Sequence, residues 1–344
     1  MCNICGYSGS RRAAPILIDM MKKQEGFWGG YYIGLSTMDE NGTIYTRKVL
    51  GNLEDLLRDT DAADLPGTIG IMHTRTPSGG DREWSYPFVS TDGKLSFVEN
   101  GSLGRFQGRT DFVPAALSLL EKGHILTSKT SKEVGGYPLL PDGSSIHYSD
   151  IQCHLVEENL RSGLDPLGAL MKTLADYPCE DVMVMLLSGY PDTLFAARAC
   201  EPMFIARAAD EVYLATSPEA FPEGAYAGFD CVPANSGAAI TPAGFTVRTP
   251  VSDQIKVAPL TGDLVAEGIS LAEKELAAGK ALTVSDLYAL VKPIFPGDGI
   301  PQASVLSYVI IHSMLLAKKA RIEVTSERGM TECLTAPVYK LAGI

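Results

Sequence analysis

A layered α+β body with antiparallel sheets is the architecture this sequence predicts. Three observations predict it: strand-like apolar runs at both ends of the first 250 residues, helical periodicity between and after them, and turn-like links between consecutive strands. The runs Val182–Leu187, Thr193–Arg198, Met203–Arg207 and Val212–Thr216 show the pattern best. Their links include Ser188-Gly189-Tyr190-Pro191-Asp192 and Ala208-Ala209-Asp210-Glu211, both rich in turn residues.

At 344 residues the chain suits one large domain plus a smaller one. A composition 45% hydrophobic and 20% charged is that of a folded globular protein, and a net charge of −12 argues against a nucleic-acid surface. No apolar run approaches the ~18 residues of a membrane span. Ser8, Ser10, Arg11 and Arg12 interrupt any signal-type hydrophobic region near the N-terminus. The seven cysteines, at positions 2, 5, 153, 179, 200, 231 and 333, are odd in number and irregular in spacing. They predict reduced thiols and a cytoplasmic location rather than a disulfide frame. Cys2-x-x-Cys5 has no second pair and the five histidines are scattered, so neither a metal nor a cofactor is expected.

In chain order, Ile4 to Tyr7 reads as a strand that buries the amino end. Pro15 opens an amphipathic helix with Ile16, Leu17, Met20 and Met21 on one face, stopped at Gly26. Phe27 to Tyr32 is glycine- and aromatic-rich, a turn with packed aromatics before a loop over a pocket. A hairpin pairs Tyr32–Met38 with Thr43–Val49 around Asp39-Glu40-Asn41-Gly42, and Leu53–Asp59 is helical. Thr68–His73 and Leu95–Glu99 are further strands. Residues 108–148, with Gly135-Gly136-Tyr137-Pro138 and Pro141-Asp142-Gly143, form an excursion from the core suited to a lid. Asp150–Arg161 and Leu167–Leu174 are helices, and a last hairpin joins Ala238–Ile240 to Phe245–Arg248.

Past Pro250 the pattern becomes helical: Leu264–Ala278, then a helix capped at Thr283, then a long one from Pro301 through Ala317. Strands at Arg321–Val324 and Val338–Leu341 complete a winged-helix-like layout. Residues 281–344 carry six Lys/Arg against five Asp/Glu, which fits an interaction module better than a DNA-binding one. The expected division is therefore 1–250 and 251–344.

Three places carry chemistry. Cys2 follows Met1 and is small enough for Met1 to be trimmed, which leaves a thiol and a free α-amine on one residue. An amine titrating near ~8 can take the thiol's proton at neutral pH. Taken alone, Cys2 also reads as a buried inert thiol or as half of a redox pair. The run His73-Thr74-Arg75-Thr76-Pro77-Ser78-Gly79-Gly80 leads a strand into a hydroxyl- and glycine-rich loop. There backbone amides, Arg75, Thr76 and Ser78 suit a small anionic ligand, although Arg75 alone also reads as a surface cation. Asn100-Gly101 reads as a tight turn or as a two-donor oxyanion hole, a side-chain amide beside an unhindered N–H.

Together, Met1-Cys2-Asn3-Ile4, His73-Thr74-Arg75 and Glu99-Asn100-Gly101 resemble class II glutamine amidotransferases. Asp192-Thr193-Leu194-Phe195-Ala196-Ala197-Arg198 followed by Pro202-Met203 adds a further likeness. The nearest look is to the glutaminase half of glutamine–fructose-6-phosphate aminotransferase, over residues 1–250 with 108–148 unmatched. The resemblance implies a four-layer αββα N-terminal-nucleophile hydrolase sandwich, a glutaminase-like domain, with a small helical C-terminal module. It implies a glutaminase half-reaction, with Cys2 as nucleophile, its own amine as base, and Asn100 and Gly101 as oxyanion donors. Arg75 would hold the glutamine α-carboxylate. Ser149-Asp150-Ile151-Gln152 matches the family's ammonium-binding segment through Asp150, while alignment on His154 puts Tyr148 there instead. The sequence departs from the family at Asn3, at Trp28-Gly29-Gly30-Tyr31, at Thr76 and at Gly79. The partners implied are glutamine and an ammonia-accepting protein subunit, with a homo-oligomer also open and no membrane or nucleic acid. Two other readings stand beside this one: an amidase acting on another amide, and a silent binding protein on the same fold.

Overall fold

The computed structural model describes residues 2–224, 228–328 and 335–344. Met1, whose removal the sequence reading expects, and Cys333 lie outside the described residues. Strand β1 (Asn3–Ser8) is central to a seven-stranded sheet. Its partners are β4 (Ile69–Arg75) on one side and β10 (Val212–Ala215) on the other, both antiparallel. The hairpin β2 (Tyr32–Met38) and β3 (Ile44–Leu50) extends the sheet beyond β4. Beyond β10 lie β9 (Phe204–Arg207) and the short β11 (Phe229–Cys231).

The second sheet has six strands, also antiparallel throughout. In spatial order they are β13 (Gly244–Arg248), β12 (Ser236–Thr241), β8 (Leu194–Arg198), β7 (Glu180–Leu187), β6 (Leu95–Ser102) and β5 (Phe88–Val89). The two sheets stack on one apolar layer containing Ile4, Ile69, Ile71, Val98, Val184 and Leu214. Helix α1 (Ala13–Gln24) covers the outer face of the first sheet, with Leu17, Met20 and Met21 buried. Each such apolar side chain contributes roughly 1.5–3 kcal/mol by leaving water. On the outer face of the second sheet lie α4 (Tyr148–Arg161) and α5 (Pro166–Asp176). The result is the αββα sandwich. Alternation along β1 builds it: Ile4 faces the inter-sheet layer, whereas Cys5 and Tyr7 belong to the layer under α1.

Helix α2 (Leu53–Asp59) has the bounds the sequence predicts and starts on a reciprocal cap between Asn52 and Asp55. The 108–148 excursion contains α3 (Val113–Glu121) and otherwise only isolated bridges, such as Thr130 with Ser145. After residue 250 come α6 (Gly262–Ala277), α7 (Val284–Val291) and α8 (Ala303–Leu316), then the hairpin β14 (Ala320–Arg328) and β15 (Thr335–Gly343). Helix α8 is apolar on nearly every face because it is clasped. Leu306, Tyr308 and Ile310 share one hydrophobic cluster with Leu17 and Met20 of α1.

Candidate active site

Antiparallel register puts the chemistry in one place. Asn3 pairs with Thr74 across β1 and β4, so Cys2, at the lip of β1, comes beside Arg75. From the opposing sheet β6 brings Asn100, whose Oδ1 accepts from the Cys2 backbone nitrogen at 2.6 Å. Its Nδ2 is buried and has no partner among the described residues. A donor left unsatisfied in that position costs free energy unless something arrives to accept from it. Asn100 and Gly101 continue β6, opposite Val182 and Asp181, rather than forming the tight turn that Asn-Gly alone suggests. Glycine is needed here because a Cβ at 101 would lie 2.3 Å from the Glu180 carbonyl and 2.5 Å from Asp181 Cα.

Cys2 is 9% exposed, and burial pushes its thiol up. The Thr76 N–H and the Arg75 charge work against that, while Glu99 adds to it. The thiol therefore needs a base beside it to react at neutral pH.

Arg75 is 2% exposed and lies over the Tyr32 ring, 4.3 Å from its centroid. It donates to Ser78 Oγ at 2.8 Å, the Gly79 carbonyl at 2.9 Å, Tyr137 Oη at 2.9 Å and the Trp84 carbonyl at 3.2 Å. All four are neutral. Among the described residues no carboxylate forms an ion pair with Arg75, a costly state for a buried cation. Ser78 is exposed and Thr76 half-buried, both on the loop that Arg75 ties down. Tyr137 reaches in from the excursion and also donates to Ser78 Oγ at 2.9 Å. The glycine-aromatic run packs beneath: Gly30 N–H donates to Thr74 Oγ1 at 2.8 Å, and a Cβ at Gly29 would meet Thr74 Cγ2 at 2.3 Å.

Glu99 is buried, with Oε2 accepting from Ser149 Oγ at 2.8 Å and from Tyr86 Oη at 2.9 Å. Its Oε1 has no partner among the described residues, and burial pushes the carboxyl up to about 7. His73 donates from Nε2 to the Glu99 carbonyl at 3.0 Å, and burial beside Arg75 holds it neutral. The start of α4 closes the cluster, with Tyr148 Oη donating to the Gly101 carbonyl at 3.2 Å. Asp150, two residues on, is fully buried, and its Oδ1 has no hydrogen-bond partner among the described residues. Its Oδ2 accepts from both the Ser128 N–H and Oγ–H at 2.8 Å.

Asn3 does not crowd Cys2. Its side chain lies on the helix side of β1, donating to the Gln24 carbonyl at 2.9 Å and the Trp28 carbonyl at 3.0 Å and accepting from Tyr308 Oη at 3.1 Å. The region past residue 250 thus reaches the back of β1. Sequence reasoning did not single out Tyr86, Tyr137 or Tyr308 for the site's geometry; it named Tyr148 only as the alternative to Asp150, and it quoted Glu99 only as part of a motif. A carboxyl directly before Asn100-Gly101 was the one available signal; the tyrosines depend on long-range packing.

No family model matches the chain. Glutamine–fructose-6-phosphate aminotransferase [isomerizing] of Pyrococcus horikoshii is 30% identical over 224 residues, which is 64% of this chain and 33% of that protein. The Zymomonas mobilis protein of the same name is 29% identical over 215 residues, 62% of this chain and 31% of that protein. The chain spans about a third of the length of these curated relatives. Among solved structures, the glutamine phosphoribosylpyrophosphate amidotransferase from B. subtilis complexed with ADP and GMP superposes with a TM-score of 0.60 at 17% identity. That match covers 87% of this chain and 65% of the other. The class is therefore the N-terminal-nucleophile hydrolase fold. Within it, the chain carries a class II glutamine amidotransferase domain, homologous to part of glutamine–fructose-6-phosphate aminotransferase. Among the described residues no helix is long and apolar enough to cross a membrane.

Proposed function

We propose that the chain hydrolyses the side-chain amide of glutamine, with Cys2 as the N-terminal residue of the mature protein. The observation that carries this is the arrangement at Asn100, with one end of the amide on the Cys2 nitrogen and the other a buried donor with nothing to bind. The Cys2 amine takes the thiol proton, and the thiolate attacks the amide carbon. The oxyanion is received by Asn100 Nδ2 and the Gly101 N–H. The tetrahedral adduct collapses, the amine returns the proton to the leaving nitrogen, and ammonia departs. Water then cleaves the γ-glutamyl thioester to give glutamate. Arg75, buried among neutral acceptors, receives the α-carboxylate, with Thr76 and Ser78 at the rim. Asp150 acts through Ser128, anchoring the excursion whose Tyr137 covers Arg75. Ammonia passes to an acceptor on another chain or is released, and residues 251–344 serve as the packing module behind Cys2.

A second reading keeps the chemistry and changes the amide. It is favoured by Asp150 Oδ2 being engaged by both donors of Ser128. That engagement suits an amide acid lacking the α-ammonium. Ammonia release from glutamine, abolished in Cys2→Ala, supports the main reading. Release from glutaric acid monoamide but not from glutamine selects the second. No release from either by a chain whose first residue is Cys2 overturns both.

A further inference from the structure

We propose that His124, His154 and Glu157 form a divalent transition-metal site, best suited to Zn²⁺, that pins the 108–148 excursion to α4. All three residues are buried, and one ligand atom from each lies within 4.8 Å of the others. His154 Nε2 is the second and independent observation. The His154 side chain is fully buried, and this nitrogen has no partner among the described residues.

His154 Nε2 is the open ligand atom, whereas His124 Nδ1 and Glu157 Oε2 are hydrogen-bonded to each other at 3.0 Å, a bond that an ion would displace. His154 Nδ1 lies 2.9 Å from the Asp150 carbonyl, which can only accept, so the ring proton is on Nδ1 and Nε2 keeps its lone pair. His124 Nε2 lies 2.9 Å from Glu158 Oε1 and 3.3 Å from Arg161 Nη1; with that nitrogen donating along the shorter contact to the carboxylate, Nδ1 is the ligand atom. Glu157 Oε1 is bound by Arg161, and Oε2 lies 3.0 Å from His124 Nδ1. Outer partners of this kind fix the tautomer and orientation of metal-binding imidazoles.

Two imidazoles and a carboxylate are a zinc-type donor set, and bonds of ~2.0–2.2 Å give ligand-to-ligand edges of about 3.4 Å in a tetrahedral site. The observed separations therefore close with a shift of about 1 Å at the side-chain tips. An ion would replace the hydrogen bond between His124 and Glu157, leaving a fourth position for water. Charge favours the cation, since Asp150, Glu157 and Glu158 outnumber Arg161 and Lys122 around the cluster.

The placement suggests a structural role. His124 belongs to the excursion, whereas His154 and Glu157 lie on the helix whose first turn carries Tyr148 and Ser149 into the active site. The Thr91 loop joins the cluster, its N–H donating to Glu157 Oε2 at 3.1 Å and its Oγ1 accepting from the Ile125 N–H at 3.0 Å. Sequence spacing cannot show this, because His124 is 30 residues from the helix pair.

The test uses the full chain, stripped with a chelator and titrated with Zn²⁺ and with Co²⁺ alone. The expected result is one equivalent bound, a rise in the unfolding midpoint with added Zn²⁺, and visible Co²⁺ bands without a thiolate charge-transfer band. His154→Gln should weaken binding by more than tenfold. Glu158→Gln, at a half-buried position that does not threaten folding, should weaken it by about tenfold by removing the negative charge from the outer partner of His124. Absence of stoichiometric binding, a thiolate signature, or wild-type affinity in Glu158→Gln and His154→Gln would each overturn the site.

Discussion

The place where β1, β4 and β6 meet and the 108–148 excursion differ in how their geometry is specified. At the junction, the ladder of β1 with β4 sets Cys2 beside Arg75 and the stacking of the opposing sheet brings Asn100 of β6 against them, so a few motif residues determine the arrangement. In the excursion there is α3 and little other regular structure, and position comes from side-chain contacts to distant residues: Tyr137 to Arg75, Ser128 to Asp150, His124 to Glu157. The first kind of geometry can be read from sequence. The second depends on which partners the fold supplies, and no local pattern announces them.

Changes at the junction should therefore abolish chemistry, whereas changes in the excursion should tune binding. The largest effect is expected at Asn100: Asn100→Ala should lower kcat by about 10²–10³ with KM little changed. Steady-state ammonia release measures it. A loss confined to KM would show that Asn100 binds rather than stabilises the transition state. Gly101→Ala should also lose activity, and destabilise the fold by about 1–3 kcal/mol in denaturant melts, because its Cβ has no room beside the Glu180 carbonyl.

Sequence carried the junction well. The strands, α2 and the two antiparallel sheets follow from apolar runs and turn residues, and the site motifs fall on the elements expected of them. Asn100-Gly101 was open to a turn reading because local preference cannot see that β7 extends the strand past it. Asp150 illustrates the other limit. Its place at the head of a helix was legible, but its engagement by Ser128, 22 residues earlier, was not. The role of Asn3 likewise depends on Tyr308, 305 residues away.

A pH series separates the junction from the body of the protein. Burial raises the Cys2 thiol, so activity should climb as pH rises above neutrality. Stability should move oppositely. Burial pushes Glu25 and Glu201 up to about 7, so the stability they contribute is full below their unfolded values and is lost as pH rises through 7. The loss is at most about 3 kcal/mol each, at ~1.4 kcal/mol per unit. Glu158 and Glu211, held down at about 2 by Lys122 and Arg11, keep their contribution across that window and do not mask the trend. Buried neutral His73 and His147 oppose the trend below about 6.5, so melting midpoints between pH 6.5 and 8 check the sign, and a rise there would contradict it.

Two smaller effects sharpen the contrast. Tyr137→Phe removes one hydrogen bond to Arg75 and should raise KM about fivefold, for a loss of ~1 kcal/mol, with kcat unchanged. Tyr308→Phe should lower stability by about 1 kcal/mol and leave ammonia release near wild type, since it supports Asn3 on the far face of β1.

The most direct measurement is peptide mapping after exposure of the purified protein to a diazo-ketone analogue of glutamine. The account predicts a single adduct on the sulfur of Cys2, on a chain whose first residue is Cys2, and no adduct in Asn100→Ala on the same timescale. An adduct on another cysteine, or an unlabelled Cys2 at the start of the chain while glutamine is still hydrolysed, would contradict it.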